Sequence, residues 1–145
     1  MTVDTSGRWW TGTDPDDVRE FLVAYSEDAY VVDEFGLARC ACGSIDFHLW
    51  ADDDEGAAKR RCARCASEQF VCDSAEYWSD AKPEQWRCIE CDGDVTNVGV
   101  GFSLYADSRD VRWLYVGVRC TSCGILGCFA GWKVGYVDDT LMARV

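Results

Sequence analysis

Apolar positions along this chain follow two rhythms. Near the N-terminus, Val18, Phe21, Leu22 and Tyr25 recur at i, i+3, i+4 and i+7, which predicts one apolar stripe on a helix. Asp14 fits the cap, Pro15 the first turn, and Asp16 and Asp17 the positive end of the helix dipole. Glu20, Glu27 and Asp28 fall off the stripe, as a solvated face would. Tyr30-Val31-Val32 then predicts a short extended piece. Beyond it the period drops to two. Ile45, Phe47 and Leu49 alternate with Asp46, His48 and Trp50, and Asp52 to Gly56 reads as a hairpin tip. Thr96, Val98, Val100, Phe102 and Leu104 alternate with Asn97, Gly99, Gly101 and Ser103. After the polar turn 106–110, Leu114, Val116 and Val118 alternate with Trp113, Tyr115 and Gly117. Each arm therefore has one core face, and Trp113 and Tyr115 stand on the other.

Cysteines punctuate these hairpins in an order that occurs twice. Cys40-Ala41-Cys42 is followed after nineteen residues by Cys62-Ala63-Arg64-Cys65, then by Cys72 in an apolar run. Cys88-Ile89-Glu90-Cys91 is followed after twenty-eight residues by Cys120-Thr121-Ser122-Cys123, then by Cys128. A pair, a hairpin, a second pair and a lone cysteine beside an aromatic argue for an internal duplication. Ser79 to Glu84, with Pro83, reads as a linker between the copies. Asp73-Ser74-Ala75-Glu76 resembles a capping box opening one helical turn, and Asp138 or Asp139 is a candidate cap for a last turn through Leu141 and Met142. The boundaries are 1–38 for the helix and its lead-in, 39–80 for the first unit, 81–87 for the linker, and 88–145 for the second unit and tail.

Ten cysteines in 145 residues change the picture most. The first residues lack the basic and apolar regions of a secretion signal, and no stretch reaches the roughly 18 apolar residues that span a bilayer. A cytoplasmic, reducing location is the expectation, and there paired cysteines favour metal over disulfides. Glycine after a cysteine pair helps its turn reach a left-handed conformation. Gly43 and Gly124 suit that role, whereas Ala66 and Asp92 do not. Units of 40–50 residues bury too little apolar surface to fold well alone, and a bound metal supplies folding free energy on the order of 10 kcal/mol per site.

With these spacings the chain resembles zinc ribbons, the rubredoxin-like class of two cysteine knuckles and a three-stranded sheet, over about 39–78 and 88–137. It is similar to uncharacterised bacterial proteins with paired zinc ribbons. The resemblance implies a small, metal-bound, mainly β fold, with an N-terminal α-helix followed by two three-stranded antiparallel units. It implies two zinc ions, with iron as the alternative. The implied ligands are Cys40, Cys42, Cys62 and Cys65 in one site and Cys88, Cys91, Cys120 and Cys123 in the other. The one-residue spacer of Cys40 and Cys42 departs from the pattern. Cys72 and Cys128 are expected to be packing residues, and His48, on the non-core parity, a surface histidine.

Charge decides among functions. The net charge is −12, and residues 1–38 carry nine acids against two bases. Such a surface opposes binding to nucleic acid and to anionic membranes. The Asp52–Glu55 run lacks the spaced donors of a calcium loop. No nucleophile–histidine pair or phosphate loop emerges. The expectation is a non-enzymatic zinc protein acting through contact with an unidentified protein, in the manner of an immunity protein or an adaptor. Its rivals are a rubredoxin-like iron electron-transfer protein and a nucleic-acid-binding ribbon. Trp9, Trp10, Trp50, Trp113 and Tyr115 are either interface anchors or seats for packing of the helix and the units.

Overall fold

The alternating segments form the sheet that their period dictates. A computed structural model describes residues 3–134 and 140–145, so the candidate caps Asp138 and Asp139 lie outside the described residues. The described residues are mainly β with one α-helix. In order they contain β1 (Val3–Asp4), β2 (Thr11–Gly12), α1 (Asp17–Tyr25), β3 (Glu34–Leu37), β4 (Phe47–Asp52), β5 (Ala57–Cys62), β6 (Glu68–Phe70), β7 (Glu84–Gln85), β8 (Thr96–Leu104), β9 (Val111–Cys120) and β10 (Leu126–Lys133). Short 3₁₀ turns occupy Ser74–Glu76, Trp78–Asp80 and Leu141–Ala143. Among the described residues no helix is long and apolar enough to cross a membrane.

β1 pairs with β2, and the other eight strands form one antiparallel sheet in the order β10-β9-β8-β4-β5-β6. Each cysteine unit thus contributes a three-stranded meander, and the first strands of the two meanders adjoin at the pair Phe47↔Thr96. Past that pair the two strands part, and each gap is filled by the strand that leads into the other unit. β3, just before the first unit, pairs with β8, while β7, just before the second, pairs with β4. The equivalence extends to single bonds. The Ala38 N–H, two residues before Cys40, donates to Val98 O, and the Trp86 N–H, two residues before Cys88, donates to Leu49 O, both at 2.8 Å. The segment expected to be a linker therefore carries a strand that ties the second unit to the first.

One face of the sheet holds the main core, built on Phe47, Leu49, Val98, Val100, Phe102, Leu114, Val116 and Val118, the residues that the alternation assigns there. The other face of β8–β9 is not solvated. A Cβ at Gly117 would lie 2.6 Å from Val18 Cγ1, and one at Gly101 2.9 Å from Val32 Cγ2, so these glycines leave a trough into which α1 and its following loop press. Val18 and Leu22 are fully buried there, beside Tyr115. Tyr25, the last member of the stripe, is 56% exposed.

Several expectations need correction. The helix begins at Asp17, with Asp16 rather than Asp14 at the cap position and no side-chain cap bond there. Asp14 instead accepts the Asp16 N–H, and Asp17 accepts the Asp14 N–H. The extended piece expected at Tyr30–Val32 comes later, as β3. At 30–32 the backbone is tied to side chains, with the Tyr115 hydroxyl donating to Tyr30 O and the Val32 N–H to Ser26 Oγ. The Asp52–Glu55 tip is not merely solvated. Asp52 accepts the N–H groups of Asp54, Glu55 and Lys82, and Asp53 accepts the Gly131 N–H at 2.8 Å. That last bond marks where the sheet curls, bringing the end of β10 against the β4–β5 turn.

Candidate metal centres

Four cysteine turns stand at the ends of the meanders and share one construction. In each, the residue after the second cysteine has positive φ: Gly43 (94°), Ala66 (64°), Asp92 (60°) and Gly124 (80°). Its N–H donates to the carbonyl of the first cysteine, at 2.8 to 3.0 Å. The N–H of that first cysteine donates to the next carbonyl along, as in Cys62 to Ser67 and Cys120 to Ile125, both 2.9 Å. The Cys40 turn closes on Ser44 at 2.9 Å, one residue sooner, so the short spacer costs it no closing bond. Ala66 and Asp92 thus adopt the left-handed conformation despite having a Cβ, against the sequence expectation. At Gly124 a Cβ would also lie 2.7 Å from Gly12 O, because the Gly12 N–H docks on Gly124 O at 2.8 Å.

These turns gather eight sulfurs into two groups. Cys40, Cys42, Cys62 and Cys65 form one, and Cys88, Cys91, Cys120 and Cys123 the other; within each, every Sγ lies within 4.8 Å of the rest. Across the turns, Cys40–Cys65 is 3.4 Å, Cys42–Cys62 3.6 Å, Cys88–Cys123 3.4 Å and Cys91–Cys120 3.5 Å. A disulfide needs about 2.0 Å, so none of these pairs is bonded. Four sulfurs about 2.3 Å from a central ion stand about 3.8 Å apart, close to what is found. The geometry fits two tetrathiolate sites that can bind two metal ions. The first cysteine of every turn is buried and the second exposed.

Electrostatics point the same way. The Cys65 N–H, against burial and with help from the Arg64 N–H, holds the Cys62 thiol down to about 6. Burial works against Cys88, yet the N–H groups of Cys91 and Glu90 bring it down to about 7. Burial and the neighbouring thiols push Cys123 up to about 12 against the Ile125 N–H. At Cys40 the Cys42 N–H is outweighed by the Cys65 thiol and burial, and the group rises to about 11. Each cluster thus divides into thiols that ionise readily and thiols whose protons burial and neighbouring thiols retain. A divalent ion bound there would replace those protons.

One signal escaped the sequence reading. An arginine precedes the first cysteine of all four turns: Arg39, Arg61, Arg87 and Arg119. Arg39 and Arg87 donate to the carbonyls of the left-handed residues Gly43 and Asp92. Arg119 donates to Gly12 O and Asn97 Oδ1, and Arg61 lies 4.9 Å over the Trp50 ring. Arg39 and Arg87 thus brace their own turns, while Arg61 and Arg119 tie theirs to neighbouring segments.

The remaining candidates lie apart from the clusters. Cys72 is buried in the main core. Cys128 is half-buried beside the smaller cluster under α1. His48 is half-buried, with Nδ1 3.8 Å from Asp94. Of the five questioned aromatics, Trp9 is exposed, Trp10, Trp50 and Trp113 are half-buried and Tyr115 is buried. Comparison with protein-family models, curated proteins and solved structures finds no match for this chain.

Proposed function

We infer that the chain is a structural two-zinc protein of tandem zinc-ribbon type that works by contact with another protein, as an immunity protein or adaptor does. Supporting zinc are the sulfur-only donor sets at tetrahedral spacing and four protein ligands per site, which leave no open position for a substrate. The single observation behind the contact role is an apolar groove of about 470 Å³ beside the Cys88 turn. Its lining includes Trp9, Trp10, Phe21 and Ile89, and Ile89 is 67% exposed. An exposed apolar groove with aromatic anchors is the composition of interface centres.

Elemental analysis is expected to find two zinc ions per chain, and Cys120→Ser to leave one; two ions retained in that variant would remove Cys120 from the ligand set. Capture from the native host, compared between wild type and Ile89→Asp, tests the contact role. A partner lost in the variant is the expected result, and identical captures would reject the groove.

Electron transfer by bound iron is the second reading. It is favoured by the exposed second cysteine of each turn, which would bring a cluster edge to solvent. A red protein absorbing visible light would establish it in place of the first.

A further inference from the structure

A second, smaller cavity adjoins the groove across the Cys128–Phe129 bulge of β10. It measures about 220 Å³ and is walled by Tyr25, Trp113, Tyr115 and Phe129, with Asp53 at its edge. The rings stand at different angles. Tyr25 meets Tyr115 edge-on, centroids 5.9 Å apart and planes at 86°, and Trp113 lies 6.3 Å from Tyr115 at 51°. Three elements hold them: α1 carries Tyr25, β9 carries Trp113 and Tyr115, and β10 carries Phe129. Asp53 is fixed by the Gly131 N–H.

No lysine, arginine or histidine lines this cavity, although Arg112 stacks nearby on Tyr30. Its one charged lining residue is Asp53. The Cys128 thiol is pushed up to about 12 by burial and then by Asp53. Tyr25 is raised by Cys128, by burial and by Asp53. One carboxylate and no lining cation, among aromatic side chains, is an arrangement that attracts an organic cation. A metal ion would find only one carboxylate here, too few oxygen donors. An ammonium whose charge is spread over methyl groups has a small dehydration cost and fits apolar walls.

We propose that Tyr25, Trp113, Tyr115, Phe129 and Asp53 form a binding cage for a methylated alkylammonium group. The group comes either on a free small molecule of the choline type or on a methylated lysine side chain of a partner.

The test is titration of the zinc-loaded protein, followed by calorimetry and by the Trp113 indole N–H resonance. Four probes are compared: choline, its uncharged isostere 3,3-dimethylbutanol, and a short peptide with trimethyllysine or with unmodified lysine. The expected result is saturable binding of choline or of the trimethyllysine peptide, with the Trp113 resonance shifted and the isostere at least about fivefold weaker. Asp53→Asn keeps the acceptor for Gly131, and Tyr25→Leu changes an exposed ring. Each is expected to weaken binding about three- to tenfold with unchanged melting temperature. Binding of choline indicates a small-molecule ligand, and binding of the peptide alone a modified partner. Equal binding of the isostere, binding indifferent to Asp53→Asn, or no saturation by either cation at tens of millimolar would overturn the proposal.

Discussion

Ala66 and Asp92 hold a left-handed backbone that L-residues adopt at a cost of roughly 1 kcal/mol. Ala66→Gly removes that cost and loses part of the gain to unfolded-chain entropy. It is expected to raise stability by about 0.5 kcal/mol in urea unfolding at fixed metal. Gly124→Ala meets both a positive φ and the Gly12 carbonyl, and is expected to lower stability by about 2 kcal/mol or more. Cys128 offers a pH signature. Its folded value of about 12 lies above the ordinary thiol value of 9.0, so the thiol's contribution is fully present below pH 9 and is lost as pH rises from 9 towards 12. Cys128→Ala is expected to flatten that alkaline decline in a stability–pH profile, relative to wild type. At this scale the cysteine pairs were legible, since their spacing sets which sulfurs one turn can gather. The left-handed Ala66 and Asp92 were not. Their strain is small beside metal binding on the order of 10 kcal/mol, so nothing obliges a glycine there.

The helix and the β8–β9 hairpin meet through absent side chains. Gly117→Ala would set a methyl 2.6 Å from Val18 and push α1 off its seat. A loss of about 1–3 kcal/mol is expected, read by urea unfolding, with metal content unchanged because the cysteine turns lie beyond the trough. The hairpins themselves were readable, because alternation of period two over nine or ten residues has no helical equivalent. Which face the glycines served was not, since a strand pattern names the core face and leaves the cover of the other to distant sequence. β3 and β7 also escaped. β7 is two residues long, and a strand so short leaves no period to detect; only its partner defines it.

Over the whole molecule, metal and chain connectivity support each other. Removing metal with a strong chelator is expected to unfold both meanders, seen as loss of near-ultraviolet dichroism from the buried tryptophans. Cys72→Ala is expected to keep both ions, because that thiol sits in the core rather than in a cluster. Polypeptides 1–80 and 81–145, produced separately with zinc, should each lack a partner strand and fail to form a folded monomer. Mixed, they should assemble one to one, detectable by sedimentation; two folded, non-interacting fragments would contradict the pairing of β3 with β8 and β7 with β4. One rung of the sheet runs Cys62↔Phe47↔Thr96↔Cys120, which sets the backbones of Cys62 and Cys120 about 14 Å apart, three strand spacings of about 4.8 Å. The reciprocal lead-ins carry a historical consequence. A lone unit whose leading strand lies on a second copy of itself is an isologous dimer, and joining two such genes end to end yields this topology. The two-fold axis of such a dimer would pass between Phe47 and Thr96, where one strand of each half clasps the other.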